Sequence, residues 1–232
     1  MHRGQCAYLG KGLWSKRLTE PALEPRELPA LDVVLLSHLH GDHFDRVARA
    51  QLSRTPPVLT TRQGAQRLTD WGFDAHGLDT WAGETLTRGD ETLSIEAMPA
   101  IHARGAMAAL LPPVIGFLVE HQIGGAVRRR VYVSGDTLTG DHVNDIARRH
   151  HDIDLAVLHL GGTRVLFHTV TMDGKQGVDF LERLRPREAV PVHYDDYGVF
   201  RSPLSDFMDR VSAAGLGTVV RRVARGETLQ LG

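Results

Sequence analysis

The sequence predicts a single α/β (α+β) domain, a mixed sheet with helices packed outside it. Three observations predict this class. Short runs rich in valine and leucine, of strand length, alternate with stretches of helical period. Some neighbouring strand runs are separated by turn-forming glycines and not by a helix. Finally, the 232 residues carry no composition shift that would mark a second domain, so residues 1–232 are taken as one unit.

The elements follow in chain order. Residues 1–30 hold glycine, proline and scattered charge without periodicity and are expected as loop. Asp32 to Ser37 is an apolar run suited to a buried strand, Phe44 to Arg54 is helical, and Val58 to Thr60 is a short strand. Thr61 caps a helix running to about Trp71. Strands are expected over Thr92 to Met98, Val114 to His121 and Arg129 to Ser134, with Gly124-Gly125 as a hairpin turn between the last two. Helices over Asp141 to His150 and Asp173 to Leu184 flank a strand over Leu155 to Leu160, and Ala189 to Val192 is a strand ending at His193. Ser202-Pro203 reads as a cap with proline at the first helical position, leading into the stripe Leu204, Phe207, Met208 and Val211. Thr218 to Val223 and Thr228 to Leu231 close the chain as strands.

Bulk chemistry removes several function classes. Twenty-seven basic residues against 28 acidic ones leave a net charge of -1, so the chain has no electrostatic footprint for a nucleic acid. Only Lys11, Lys16 and Lys175 are lysines, a coding bias toward arginine and not a phosphate-binding pattern. The single cysteine, Cys6, offers neither an internal disulfide nor a zinc ribbon. The longest apolar run, Ala106 to Val119, is interrupted by Pro112, Pro113 and Gly116 and is too short to span a bilayer. Without a signal-peptide layout the expected location is the cytoplasm, and homo-oligomerisation stays open.

Histidine is the unusual residue, at 13 copies. Ser37-His38-Leu39-His40-Gly41-Asp42-His43 places three imidazoles and a carboxylate within six positions at the end of a strand run. A turn leaving a strand aims side chains i and i+2 to one side and the next pair to the other, which suits two adjacent cations. Imidazole with carboxylate suits zinc or a neighbouring first-row metal better than calcium or magnesium. Zinc is the expected ion, with manganese or iron as alternatives.

HxHxDH after a hydrophobic strand resembles the metallo-β-lactamase superfamily, and the rest of that pattern is present in order. His102 in Met98-Pro99-Ala100-Ile101-His102, Asp136 in Ser134-Gly135-Asp136-Thr137 and His193 in Pro191-Val192-His193-Tyr194 each follow a strand run. Thr171-Met172-Asp173, Arg185-Pro186 and Pro191-Val192-His193-Tyr194 resemble the branch that contains ascorbate-6-phosphate lactonase and the phospholipase D acting on N-acyl-phosphatidylethanolamine. The resemblance implies an αββα sandwich and two divalent metal ions. One would be held by His38, His40 and His102, the other by Asp42, His43 and His193, with Asp136 between them.

It further implies a hydrolase in which hydroxide held by the two metals cleaves an ester, lactone or phosphodiester of a small-molecule or lipid-like substrate. Asp42 is the carboxylate placed to orient the nucleophile and pass a proton onward. His168 is a candidate proton donor, or a plain surface histidine. Asp195 is a candidate partner orienting an imidazole, or part of a solvated acidic turn, and Tyr194 is a candidate lining residue beside it. Leu110 and Leu111, in the apolar stretch after His102, are candidates for a hydrophobic wall over the substrate, or for a buried connection. A catalytically idle metal-binding domain and a di-iron oxygen-reactive protein are the competing classes. One departure from the family concerns the N-terminus, where the 31 residues before Asp32 are expected to supply none of the opening strands. The chain is accordingly expected to be N-terminally truncated relative to the family and to leave an unpaired strand edge or an exposed apolar patch.

Overall fold

The computed structural model describes residues 1–10, 12–165 and 168–230. The chain opens with a hairpin in which β1 (Cys6–Tyr8) runs antiparallel to β2 (Trp14–Lys16). A first αβ segment follows as β3 (Val34–Leu35), α1 (Arg46–Gln51), β4 (Val58–Thr61), α2 (Arg62–Asp70) and β5 (Ala75–Leu78). An antiparallel meander comprises β6 (Gly83–Arg88), β7 (Glu91–Pro99), β8 (Ile115–Ile123) and β9 (Ala126–Val133). The chain then returns to alternation with α3 (Asp141–Arg149), β10 (Leu155–His159), the small pair β11 (Arg164–Val165) and β12 (His168–Thr169), α4 (Gly174–Leu184), β13 (Glu188–Val192), α5 (Leu204–Ala214) and β14 (Val219–Val220).

Local chemistry explains where elements begin and turn. Asp45, Thr61 and Asp173 cap α1, α2 and α4, their side-chain oxygens accepting from the amides of Ala48, Gly64 and Gln176. Ile123 pairs with Ala126, which leaves Gly124 and Gly125 as a two-residue turn with φ of +57° and +77°. Two successive positive φ values are what glycine supplies without steric cost, and they match the twist of the flanking strands.

The strands form two principal sheets. Seven strands lie in the order β14-β13-β10-β9-β8-β7-β6, and three lie in the order β3-β4-β5. Period-two alternation along β7 and β8 assigns the faces of the larger sheet. Ile95, Ala97, Ile115 and Phe117 pack with Leu59 and Leu78 of the smaller sheet. Met98 and Leu118, on the other face, pack with Val143 and Ile146 of α3, Phe180 and Leu181 of α4 and Phe207 of α5. On the far side of the smaller sheet Val58 packs with Phe44, Leu68 and Phe73. Helices, sheet, sheet, helices is therefore the layer order, an αββα sandwich whose centre is apolar on every internal face.

Several expectations need correction. Residues 1–30 are not all loop, since β1 and β2 pair there. Their register is too short and too polar to stand out as alternation: Cys6, Tyr8, Trp14 and Lys16 are exposed while Ala7 and Ser15 are buried. This pair makes its own sheet and does not extend the β3-β4-β5 sheet, where β3 remains an edge. Tyr8, Leu13, Trp14, Leu18, Leu23 and Leu28 give the N-terminal segment a concentration of exposed apolar side chains. Strands β5 and β6 were not expected, because Ala75–Leu78 lacks β-branched residues and Gly83–Arg88 is a largely polar edge strand. Pro203, not Ser202, is the N-cap of α5, and the Ser202 hydroxyl instead accepts from the Gly174 amide at 2.9 Å. Residues 228–230 are not in a strand, and Leu231 lies outside the described residues.

Candidate metal centre

Strands β7, β9, β10 and β13 share one direction in the larger sheet. The segments leaving β3, β7, β9 and β13 carry His38–His43, His102, Asp136 and His193, so residues far apart in sequence meet at one rim of the sandwich. Two groups result. His38, His40 and His102 present ligand atoms within 4.8 Å of one another, and so do Asp42, His43, Asp136 and His193. All seven sequence-derived ligand candidates are thus brought together.

In the first group, His38 Nε2 and His102 Nε2 lie 3.0 and 3.3 Å from His40 Nδ1. The outer nitrogens are fixed. His102 Nδ1 donates to the carbonyl of Val170 at 2.9 Å, and His38 Nδ1 lies 3.0 Å from the Ser37 hydroxyl. Such partners set the tautomer and leave the inner nitrogen free to ligate. Burial, reinforced by the neighbouring imidazoles, pushes His38 well below the usual histidine range and His40 down to about 4. Both are therefore neutral at physiological pH, the form that binds metal.

The second group is an ion-paired cluster. Asp136 Oδ2 lies 3.3 Å from His43 Nε2 and 3.9 Å from His38 Nε2, which places this carboxylate between the two groups. His193 Nε2 lies 3.4 Å from Asp42 Oδ2, and His193 Nδ1 reaches the Leu160 carbonyl at 3.3 Å. Burial opposes charge on His193, but Asp136 and Asp42 outweigh it and raise the ring to about 9. Burial likewise opposes charge on the carboxylates, yet His193 and His43 hold Asp136 well below the usual range, and His43 and His193 also lower Asp42. His193 adopts φ +60°, a left-handed conformation uncommon for a side chain of this size, and strain of this kind collects where a fold must aim one group.

The donor set fits divalent metal. Asp42 Oδ1, Asp136 Oδ1 and His43 Nε2 are buried in this cluster without a hydrogen-bond partner among the described residues. Buried polar atoms of this kind are otherwise rare, and metal ligation satisfies them.

One residue of the site was not picked out from sequence. His159, the last residue of β10, stacks on His43 with ring centroids 5.8 Å apart and lies 5.6 Å from His193. Burial, with His193 adding to it, lowers its pKa to about 3. The available signal was a histidine in an otherwise apolar run, followed by Leu160 and then Gly161-Gly162.

The remaining candidates scatter. Leu111 lines a cavity together with His40, Asp42, His102 and Asp136. Leu110, beside it, turns outward with 46% of its surface exposed. Tyr194, partly buried, packs against the main core cluster. Asp195 pairs with Arg225 at 3.0 Å, so its carboxylate faces a surface guanidinium and not an imidazole. His168 is exposed on β12 and makes no hydrogen bond to the clustered ligands among the described residues.

Comparison with known proteins identifies the family. A family model described as Beta-lactamase superfamily domain matches residues 9–194. The UPF0173 metal-dependent hydrolase of Opitutus terrae is 30% identical over 217 residues, covering 90% of this chain and 86% of its own. Among solved structures, a possible metal-dependent hydrolase from Veillonella parvula superposes with a TM-score of 0.77 at 19% identity, over 100% of this chain and 89% of that one. An isothiocyanate hydrolase from Delia radicum gut bacteria gives the same TM-score and identity over 93% and 83%. Among the described residues no helix is long and apolar enough to cross a membrane. This chain belongs to the beta-lactamase superfamily and, within it, to the metal-dependent hydrolases.

Proposed function

We propose that this chain binds two divalent metal ions, zinc by the chemistry of the donors, and hydrolyses a carboxylic ester or lactone of a small molecule. His38, His40 and His102 would hold one ion, Asp42, His43 and His193 the other, with Asp136 shared. The observation that carries this assignment is the division of seven donors, all buried or partly buried, into two adjacent groups whose ligand atoms lie within 4.8 Å of one another. When bound, such metals bring water toward a neutral pKa and polarise a substrate oxygen.

The chain's own residues supply the rest. Asp42 stays ionised beside His43 and His193, so the oxygen that does not hold metal can accept a proton at the reacting centre and return it to the leaving group. Val170 and Leu160, through their carbonyls, orient His102 and His193. Phosphodiester cleavage is the second reading. It is favoured by the likeness of Thr171-Met172-Asp173 and Pro191-Val192-His193-Tyr194 to the branch holding both a lactonase and a phospholipase D.

The test is metal analysis of purified protein together with a panel of esters, lactones and bis-phosphodiesters. Two metal equivalents with turnover of an ester or lactone are expected. Full metal content with no turnover on the panel would turn the assignment toward the idle binding domain, and iron with oxygen consumption toward the di-iron class.

A further inference from the structure

We propose that Thr137 is a positioning residue whose hydroxyl fixes the span between His102 of the first group and Asp136, the carboxylate shared by both groups, and so holds the two metals as one coupled pair. This rests on the two-metal assignment above and adds to it the side chain that sets the distance between the sites. His102 and Asp136 arrive on segments leaving different strands, β7 and β9. Just beside the ligands those segments are tied together. Ile101, the residue before His102, meets Thr137, the residue after Asp136. The Ile101 amide donates to Thr137 Oγ1 at 2.9 Å, and the Ile101 carbonyl accepts the Leu138 amide at 2.8 Å. A single bond between the segments would act as a pivot. Two bonds, one at each end of the Ile101 backbone, fix rotation as well as distance.

Thr137 is fully buried and its hydroxyl is saturated. A hydroxyl offers one donor and two acceptor lone pairs. The proton goes to the Leu138 carbonyl at 3.0 Å, one lone pair takes the Ile101 amide, and the other faces His142 Nε2 at 3.4 Å. Burial, with Arg104 adding to it, pushes His142 down to about 4, so at neutral pH no charge stands beside the hydroxyl to draw it from Ile101. The branched Cβ of threonine restricts χ1 and keeps the oxygen aimed. Farther from the ligands the Arg104 guanidinium donates to the Thr139 carbonyl, joining the same two segments again. Val170 orients the His102 ring through Nδ1 but leaves the backbone of that segment free. Thr137 supplies the missing restraint. A displacement of roughly 1 Å between the segments is enough to make a ligand constellation too loose, and it would carry Asp136 away from the ion held by His102.

The experiment titrates full-length protein stepwise with cobalt in place of zinc and follows visible absorption and electron paramagnetic resonance. The spectrum of Asp42→Ala, with only the first group filled, assigns the bands. Thr137→Val keeps the side-chain shape and removes the hydroxyl. It is expected to weaken uptake at the His38, His40 and His102 group about 10- to 100-fold and to abolish the magnetic coupling between the two ions. Thr137→Ser keeps the oxygen and should restore most of both. Thr137→Ala serves if Thr137→Val does not fold. The space it opens admits a water that satisfies Ile101 and Leu138, but that water is not bonded to the residue beside Asp136, so the same losses are expected. Thermal melts of the metal-free variants record folding. A lowered melting temperature with unchanged cobalt affinity and coupling would make Thr137 a packing residue and overturn the proposal, as would equal losses in Thr137→Val and Thr137→Ser. Wild-type protein with two coupled ions and indifferent variants removes only the role of Thr137. Wild-type protein that takes up a single ion removes the two-metal assignment and this proposal together.

Discussion

The amide of Gly41 donates to the carbonyl oxygen of Tyr8 at 2.9 Å, and a Cβ at Gly41 would stand 2.8 Å from both the nitrogen and the oxygen of Tyr8. The N-terminal hairpin therefore packs directly on the turn that separates His40 from Asp42. Nothing larger than hydrogen fits there, since the obstructing atoms are backbone and cannot rotate aside.

Gly41→Ala should accordingly push the hairpin and the ligand turn apart. The expected outcome is about 10-fold weaker metal binding, the scale seen when the support of a ligand is lost, together with a lowered melting temperature. Zinc titration against a competing chelator checks it, and wild-type affinity in that variant would show that the turn adapts freely.

Removing a ligand from the second group should empty that group alone. Asp42→Ala and His193→Ala are expected to lower the metal content from two equivalents to one and to abolish most hydrolysis. His38, His40 and His102 form a group to which neither residue contributes a ligand atom. A His193→Ala protein with wild-type metal content and rate would refute the ligand role of His193.

His159 stands behind the second group as a flat wall. Its amide donates to the Ser134 hydroxyl at 2.9 Å, and its ring is inclined 29° to that of His43. His159→Ala should weaken the second metal about 10- to 100-fold by freeing His43 and His193 to tilt, while the first metal is retained. His159→Phe keeps a flat ring and should restore most of the affinity. Stepwise zinc titration distinguishes the two sites, and equal weakening of both would point to general loosening of the rim.

The histidines make the stability of metal-free protein depend on pH with opposite signs. Burial lowers His40 to about 4 and His159 to about 3 from an ordinary 6.5, so the folded state binds fewer protons there than the unfolded state. Stability is then lost as pH falls from 6.5 toward those values. His193 is raised to about 9 from 6.5, so its contribution is complete below 6.5 and disappears as pH rises through about 9. Together these three histidines favour a maximum in melting temperature near pH 6.5 in metal-free protein. Zinc, whose ligands are already deprotonated, should flatten the alkaline limb. A metal-free melting temperature still climbing at about pH 9 would count against the raised His193.

The cap of α4 gives a prediction independent of metal. Asp173 Oδ1 accepts the Gln176 amide at 2.9 Å. Asp173→Ala should cost about 1 kcal/mol, a fall of roughly 2–4 °C in melting temperature for a domain of this size. Metal stoichiometry should not change. A thermal melt and metal analysis of the same sample test both halves.

The sequence by itself determined the layer composition and the ligand candidates, because both are written locally. Runs such as Leu155–His159 and the stripe of α4 bury one face whatever surrounds them, and HxHxDH concentrates four donors in one turn. Caps at Thr61 and Asp173 and the Gly124-Gly125 turn were legible for the same reason, each being a contact within a few residues. Tertiary structure alone decided what depends on long-range packing. It brought His159 against His43 and His193, a meeting of three strand ends that no spacing records. It turned Asp195 to Arg225 and Leu110 to solvent, because the direction of a loop side chain follows from the chain packed beside it. It also made a hairpin of Cys6–Tyr8 and Trp14–Lys16, whose three-residue alternation in each strand is too short to exceed chance, and set Leu9 and Leu13 beside the ligands. That placement sets Leu9 and Leu13, with Leu111 and Val170, around a cavity that His40 and His102 also line.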